Sequence, residues 1–462
     1  MIAKLFLKNK LRQLNIVVMG DIAIDEYKYG KVSRISPEFP VPILHSRAQQ
    51  SVFALGMAAN VCYQMKCFNA KVALMGFIDD KTHNVLFEHN INDDFCVRLN
   101  KGYNPIKVRF YEGNFPLARC DIEELNYGEE NIEFLRSKLL DSFENYLTKV
   151  TPDIVVLSDY DKGVFNDLFS KKIIDICLDN NVPTLVDPKK PPLSKWKNCT
   201  YFKPNLNEAT NLTTSISIKE KILEIQKCLN CKGVVITQEG NGYNGIIDNE
   251  LFAELHEPLS LEKVNNKVGA GDAYLGLLAI CLSYKFDFKT SCDLAFKAGV
   301  KYVQKKHNKF ITFLDMLESK IINPDLLIDR DFKLVLTNGC FDILHVGHLQ
   351  LLKFAKSKGD KLVVAVNSDE SVSRLKPGRP FVSLKNRMEL LAALECVDFV
   401  ISFNEDTPLE IIKKINPEIL IKGSEYLVDD IVGREFVKEV ITCPMVEKYS
   451  TSLLVDKIKS QI

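Results

Sequence analysis

Tryptophan occurs once in these 462 residues and histidine seven times, and the charges cancel, with 60 Lys and Arg against 60 Asp and Glu. Without a basic excess the chain is not built as a whole-length nucleic-acid binder, although a local phosphate site needs no net charge. Arginine is scarce, 12 against 48 lysines, and only Arg374, Arg379, Arg387 and Arg434 lie beyond residue 330. A bidentate phosphate clamp in that part of the chain must come from those four. No apolar run is long enough to span a membrane; the longest, around Tyr274 to Tyr284, is about half a span and is expected as a buried helix. The opening MIAKLFLKNKLRQLN is cationic, but its apolar stretch is too short and too interrupted for a signal peptide. Thirteen cysteines, an odd number scattered over a long chain, speak against a secreted disulfide framework and for reduced thiols in a cytoplasmic protein. Cys228 and Cys231 form a CxxC, but no second pair stands at zinc spacing.

What is present is ordinary globular composition, 46% hydrophobic and 26% charged. At roughly 150 residues per domain the length suits three domains, or two with one large. Short β-branched runs recur at Ile16 to Met19, Val72 to Met75, Ile154 to Leu157 and Val234 to Ile236, with helical-period segments between them. Alternating helices and fully apolar strands predict an α/β fold with a mostly parallel sheet covered on both faces. Three prolines and alternating Val/Ile between Arg34 and Ser51 suit an edge strand or a flap that leaves that sheet. A second series starts at Lys333 and continues through Leu362 to Val366, Phe399 to Ile401 and Ile419 to Ile421. The expected organisation is therefore a domain over 1–318, a linker over 319–331 and a second domain over 332–462.

The sharpest motif is Thr337-Asn338-Gly339-Cys340-Phe341-Asp342-Ile343-Leu344-His345-Val346-Gly347-His348. A buried strand feeds a glycine turn, and the two histidines at i, i+3 share one face of the following helical turn. Exposed N–H groups of that turn attract anions, so the pair suits a nucleoside triphosphate undergoing α-phosphoryl transfer. Two satisfied structural histidines are the plain alternative. Zinc is disfavoured because no Cys or carboxylate follows at ligand spacing. The motif resembles that of the HxGH nucleotidylyltransferases, and the resemblance implies a Rossmann-like fold. Further segments agree: Asn367-Ser368-Asp369, Arg374 and Arg379 in a basic loop, Lys422-Gly423, and Ser450-Thr451-Ser452, where the family binds phosphates at a helix start. By the same resemblance Thr337, Asn338, Gly339, Arg374, Arg379, Lys422, Ser450 and Thr451 are expected to hold nucleotide and phosphates, and His345 and His348 to be catalytic. The full set is similar to the adenylyltransferase half of the bifunctional heptose-phosphate kinase/adenylyltransferases. Glycerol-phosphate and ethanolamine-phosphate cytidylyltransferases share the early part, so ATP and CTP both stay open on motifs alone.

The second signal is Gly269-Ala270-Gly271-Asp272 at the start of the apolar helix pattern. Small residues at a helix N-terminus expose N–H groups to an anion, and an Asp just beyond can take a proton from an attacking hydroxyl. By itself this is as well explained by ordinary capping. It is accompanied, in order, by Gly20-Asp21, Asp25, Gly56 to Asn60, Ser158 to Gly163, Asp187-Pro188-Lys189, Lys203 to Glu208 and Thr237 to Gly240. That order resembles the ribokinase-like (PfkB-type) sugar kinases, whose fold is an α/β/α sandwich, and Ser33 to Pro42 narrows it to the heptose-phosphate branch. The resemblance implies Asp272 as base, Gly269, Ala270 and Gly271 as anion hole, and Asp21, Asp25, Asn60 and Arg119 as sugar ligands. It implies Asn205 and Glu208 near Mg²⁺ and phosphate, with Glu208 acting through water and no direct protein ligand to the metal, and Thr237 and Gly240 as nucleotide contacts. The sequence departs from the family's pattern at Met57, Phe115-Pro116, Lys190, Asn266 and Val268.

Taken together, the resemblances imply a cytoplasmic bifunctional enzyme of ADP-heptose formation for lipopolysaccharide, using ATP and Mg²⁺ on small-molecule substrates, with no nucleic-acid or membrane partner and a homodimeric state. The same chemistries on another sugar phosphate, or a nucleotidylyltransferase whose kinase half has become a binding module, are the alternatives.

Overall fold

The computed structural model describes residues 12–45, 51–113, 115–123, 127, 131–255, 268–305, 310–317, 319–328, 330, 332–424 and 426–444. The chain divides into two compact units, 1–316 and 317–462.

The first unit is built on an eight-stranded sheet, ordered Glu250–Leu255, Gly242–Ile247, Gly233–Thr237, Tyr201–Phe202, Thr184–Asp187, Ile154–Ser158, Asn15–Gly20 and Lys71–Met75. The six strands from Lys71–Met75 to Gly233–Thr237 run parallel, and the last two turn antiparallel. Ile154–Ser158 is buried at every position, as a strand covered on both faces must be. Its helices start where the sequence supplies caps: the Asn166 side chain accepts from the N–H of Phe169, and Asn205 and Glu208 form a reciprocal capping box. Helix Ala270–Ser283 is buried almost all round, between Ala58–Lys66 and Phe288–Gln304, which is why its sequence lacks a polar face. No helix among the described residues is long and apolar enough to cross a membrane.

Asn15–Gly20 has sequence-distant neighbours on its two sides, Ile154–Ser158 and Lys71–Met75. Strand order reverses there, and the crevice beyond the carboxyl ends is where such sheets bind ligands. One residue later the chain leaves for a second sheet. Ile22–Ile35 pairs there with Ser51–Met57, with Pro42–His45 and with Ile106–Glu112, which in turn pairs with Phe115–Ile122. This is the flap expected from the proline-rich stretch, with Pro42–His45 on its edge.

The second unit carries a five-stranded, all-parallel sheet in the order Phe399–Phe403, Lys361–Asn367, Leu334–Gly339, Ile419–Gly423 and Glu439–Cys443. Leu334–Gly339 stands at its reversal point. The strand Glu439–Cys443 was not among the four expected, because its sequence is short and only half-buried. Residues 319–331, expected as a linker, are largely built into this unit. Ile321 bridges to Val400, and Arg330 donates to the carbonyls of Leu327 and Ile415 and pairs with Glu418 at 3.0 Å.

Candidate active sites

At the reversal point of the first unit a cavity of about 570 Å³ opens between the sheet's carboxyl ends and the flap. Gly269 starts helix Ala270–Ser283 with φ +91°, and a Cβ there would stand 2.4 Å from the Tyr302 hydroxyl, so only glycine fits. A Cβ on Gly271 would meet nothing within 4 Å, so the first helical turn faces open space. Asp272 sits in that turn, buried, with both carboxylate oxygens engaged. Tyr160 donates to Oδ1 at 2.7 Å, and the Asn60 amide donates to Oδ2. Burial pushes the Asp272 pKa above the ordinary carboxylate value, partly offset by those two donors. A raised carboxyl pKa at an anion-attracting helix start is a suitable base for a sugar hydroxyl.

Asp25, Asn60, Asn205, Glu208, Thr237, Gly269 and Gly271 line the same cavity. Asp25 is held by Arg109 at 3.1 Å. Glu208 is committed to its capping box and to Lys189 at 3.1 Å. Lys203 pairs with Asp187 at 2.8 Å, and burial pushes Asp187 up to about 6 against that pull.

Three expected ligands lie elsewhere, and Ala270 of the expected anion hole is not part of the cavity lining. Asp21 does not line the cavity; its carboxylate accepts from the backbone N–H groups of Tyr160, Lys162 and Val164 at 2.8, 3.0 and 3.1 Å. It organises the loop that carries Tyr160, and burial together with Asp159 pushes its pKa up to about 6. Arg119 lies outside the cavity lining, paired through Nε and Nη2 to Asp121. Gly240, in a turn after Gly233–Thr237, also lies outside the lining.

The departures differ in consequence. Met57 lines the cavity, buried, at φ 54° and ψ −135°, a region that glycine adopts freely and a side chain only with strain. Val268 also lines the cavity. Phe115 is 77% exposed on the flap and does not line it, so no sugar contact is lost there. Lys190 is exposed and pairs with Asp161. Asn266 lies outside the described residues.

In the second unit Leu334–Gly339 runs into helix Val346–Lys356, with His345 at its N-cap and no side chain capping it. The His345 and His348 rings stack with centroids 3.8 Å apart and planes 26° apart. Burial lowers both pKa values, that of His348 to about 4 with help from His345 and Lys376. Both rings are therefore neutral at pH 7 and each keeps one N–H to donate. Five buried side-chain atoms at or just beyond this strand's end have no partner among the described residues: Thr337 Oγ1, Asn338 Oδ1, Asp342 Oδ2 and the Nδ1 atoms of both histidines. Buried polar groups left unpaired at a strand's carboxyl end mark a place prepared for a polar ligand. Lys422 approaches from the next strand, its amine 3.4 Å from the Asn338 carbonyl.

The arginines separate into roles that composition alone does not show. Arg387 is fully buried and donates to the carbonyls of Val382, Cys340 and Asn367 and to Asp369, tying two strand ends together. Arg434 is exposed and pairs with Asp429. Arg374 pairs with Asp406 at 2.7 Å, and Arg379 stands 5.5 Å from the Phe381 ring. Ser450 and Thr451 lie outside the described residues. Tyr160, Lys203 and Asp342 are site residues that lie inside the quoted motifs without having been singled out. Arg387, expected as a candidate phosphate clamp, is instead spent on three carbonyls and Asp369.

Comparison with known proteins gives a family match to each unit. Residues 13–310 match the pfkB family of carbohydrate kinases, and residues 336–460 match the cytidylyltransferase-like family. The bifunctional protein HldE of Helicobacter hepaticus is 34% identical over 96% of this chain and 96% of its own length. That of Haemophilus influenzae is 33% identical over 97% of this chain and 98% of its own. The first unit's fold is also that of Escherichia coli phosphofructokinase-2, with TM-score 0.52 at 16% identity over 66% of this chain and 97% of that one. By sequence along nearly its whole length, the chain belongs to the bifunctional HldE family, a pfkB carbohydrate kinase joined to a cytidylyltransferase-like domain.

Proposed function

We propose that the first unit phosphorylates C1 of D-glycero-β-D-manno-heptose 7-phosphate with ATP, and that the second joins heptose 1-phosphate to AMP from ATP, giving ADP-heptose for lipopolysaccharide core and releasing pyrophosphate. Another enzyme must remove the 7-phosphate between the two steps. The observation that carries the kinase step is Asp272, buried at a helix start beside an open anion-binding turn and steadied by Asn60 and Tyr160. The acceptor hydroxyl gives its proton to Asp272 as its oxygen attacks the γ-phosphoryl, whose charge the N–H groups after Gly269 receive. In the second unit, His345 and His348 donate hydrogen bonds toward the phosphates as negative charge grows on the departing pyrophosphate.

Mg²⁺ fits the first site as an ion brought by the nucleotide. No group of three His, Cys, Asp or Glu side chains among the described residues could hold a metal, and Glu208, capped, paired and lining the cavity, is the carboxylate assigned in this reading to reach the ion through water. When bound, the ion neutralises phosphate charge. A homodimer and a cytoplasmic location belong to this reading. Exposed Ile35 and Phe115 on the flap and Phe39 and Val41 beside it support the first, and the free thiols support the second. A different sugar phosphate is the second reading, favoured by Met57 where it crowds the cavity. Incubation with ATP, Mg²⁺ and a panel of sugar phosphates, read by mass spectrometry for both bisphosphate and nucleotide-sugar, tests both.

A further inference from the structure

The turn between strand Leu334–Gly339 and the two histidines faces two ways. Phe341 stands in the left-handed region at φ 48°, which a side chain adopts only with strain. Its ring packs 5.1 Å from that of His348. The next residue, Asp342, is buried, and its Oδ1 accepts from the backbone N–H groups of Phe381 and Val382 at 2.7 and 3.0 Å. Its Oδ2 has no hydrogen-bond partner among the described residues. A carboxylate taken out of water for two neutral donors is a costly way to close a turn.

The two donors give that cost a purpose, because they close the basic loop that begins at Arg374. Arg374 itself turns away to Asp406 and the Asn404 carbonyl. The loop's further cations are Lys376 and Arg379, and Lys376 stands near enough for its charge to act on His348. The two are tied to each other, since the Arg379 N–H donates to the Lys376 carbonyl at 3.1 Å. Past Arg379 the loop is drawn back to the strand ends by Asp342 and by Arg387, which donates to the Val382 carbonyl at 2.9 Å. Arg387 divides itself among four acceptors, whereas both side-chain hydrogen bonds of Asp342 go to this loop. We propose that Asp342 is a positioning residue for adenylyl transfer: it fastens the basic loop to the turn that carries His345 and His348, so that Lys376 and Arg379 meet the nucleotide's phosphates in the same frame as the two imidazoles. This inference rests on the transfer reading above, and its test tells the two failures apart.

The test uses the full chain with ATP and supplied heptose 1-phosphate. Pyrophosphate release gives kcat and KM, and amide exchange gives local opening. Asp342→Ala should speed exchange at the Phe381 and Val382 amides by about 10-fold or more. It should also raise KM for ATP by about 10-fold or more, through loss of a fixed geometry. Asp342→Asn keeps an oxygen for both amides and should recover most of both losses. Lys376→Gln with Arg379→Gln should raise KM for ATP by itself. Adding Asp342→Ala to that pair should raise it little further, since the carboxylate acts through the two cations. Should Asp342→Ala unfold the second unit, Asp342→Glu, which moves the oxygens by one methylene, is judged by the same cycle. Effects that multiply independently, an unchanged KM despite faster exchange, or no recovery in Asp342→Asn overturns the assignment and leaves the transfer reading standing. A wild type that releases no pyrophosphate defeats the transfer reading and this inference with it.

Discussion

Replacing His348 with alanine separates what this ring does for the transfer from what it does for the fold. The ring touches His345 and Phe341, with centroids 3.8 and 5.1 Å away, and its Nδ1 has no partner. It is not among the buried side chains that make the second unit's core. Loss of one preorganised donor at a developing oxyanion costs about 10² to 10³ in kcat, or about 3–4 kcal/mol. The effect on stability depends on pH, and its sign follows from the ring's position. An unfolded histidine titrates at its ordinary 6.5, whereas the folded ring, desolvated and beside His345 and Lys376, titrates at about 4. Between those values the unfolded chain binds the extra proton, so stability from this group is full above pH 6.5 and lost as pH falls toward 4, by about 3 kcal/mol at most. In His348→Ala, pyrophosphate release from ATP with supplied heptose 1-phosphate should drop by the stated factor. Unfolding of the second unit at pH 7.5 should move by less than about 1 kcal/mol, because little packing is lost. The variant should also lose less stability than wild type between pH 7.5 and 5. A wild-type rate, collapse at pH 7.5 or an unchanged acid sensitivity would each refute the reasoning.

Asp272→Asn should lower kinase turnover by about 10² or more and spare adenylyl transfer. In the wild type the acidic limb of the kinase rate, followed by ADP release across pH, should lie above the ordinary carboxylate range, because burial raises the Asp272 pKa. Met57→Gly relieves a backbone held at φ 54°, worth about 1–3 kcal/mol, but deletes a buried side chain, worth about 2–5 kcal/mol. Thermal unfolding should therefore show a small net loss, and a large gain in kinase rate would transfer the acceptor assignment to another sugar. Phe115→Gln with Pro116→Gln, outside the cavity, should leave acceptor KM unchanged; a shift in that KM would bring the flap's outer edge into the site. Arg387→Ala takes the side-chain donor from three carbonyls and leaves Asp369 only the Leu384 N–H, so unfolding of the second unit should be easier by about 3 kcal/mol while kinase turnover persists.

The apolar strands were legible because a strand buried on both faces has a near-continuous hydrophobic sequence, as Ile154–Ser158 and Lys361–Asn367 show. Glu439–Cys443 escaped because an edge strand needs only one covered face and carries a mixed pattern. In the sites, glycine turns and short histidine spacings announce themselves: Asp272 meets Asn60 in the first unit, and His345 meets His348 in the second. Arg387 did not announce itself, because its partners are mostly backbone carbonyls, which leave no trace in residue type. Asp21 was misread for the same reason: its carboxylate serves three N–H groups some 140 positions away.

The single residue between Asn15–Gly20 and Ile22–Ile35 has a mechanical meaning. Asp21 joins a strand of the rigid sheet to a strand of the flap, and the same side chain grips the loop bearing Tyr160. Tilting the flap would turn the chain at Asp21, whose carboxylate also holds the loop that carries Tyr160. Replacing Asp21 would therefore disturb the root of the flap and the Tyr160 loop together.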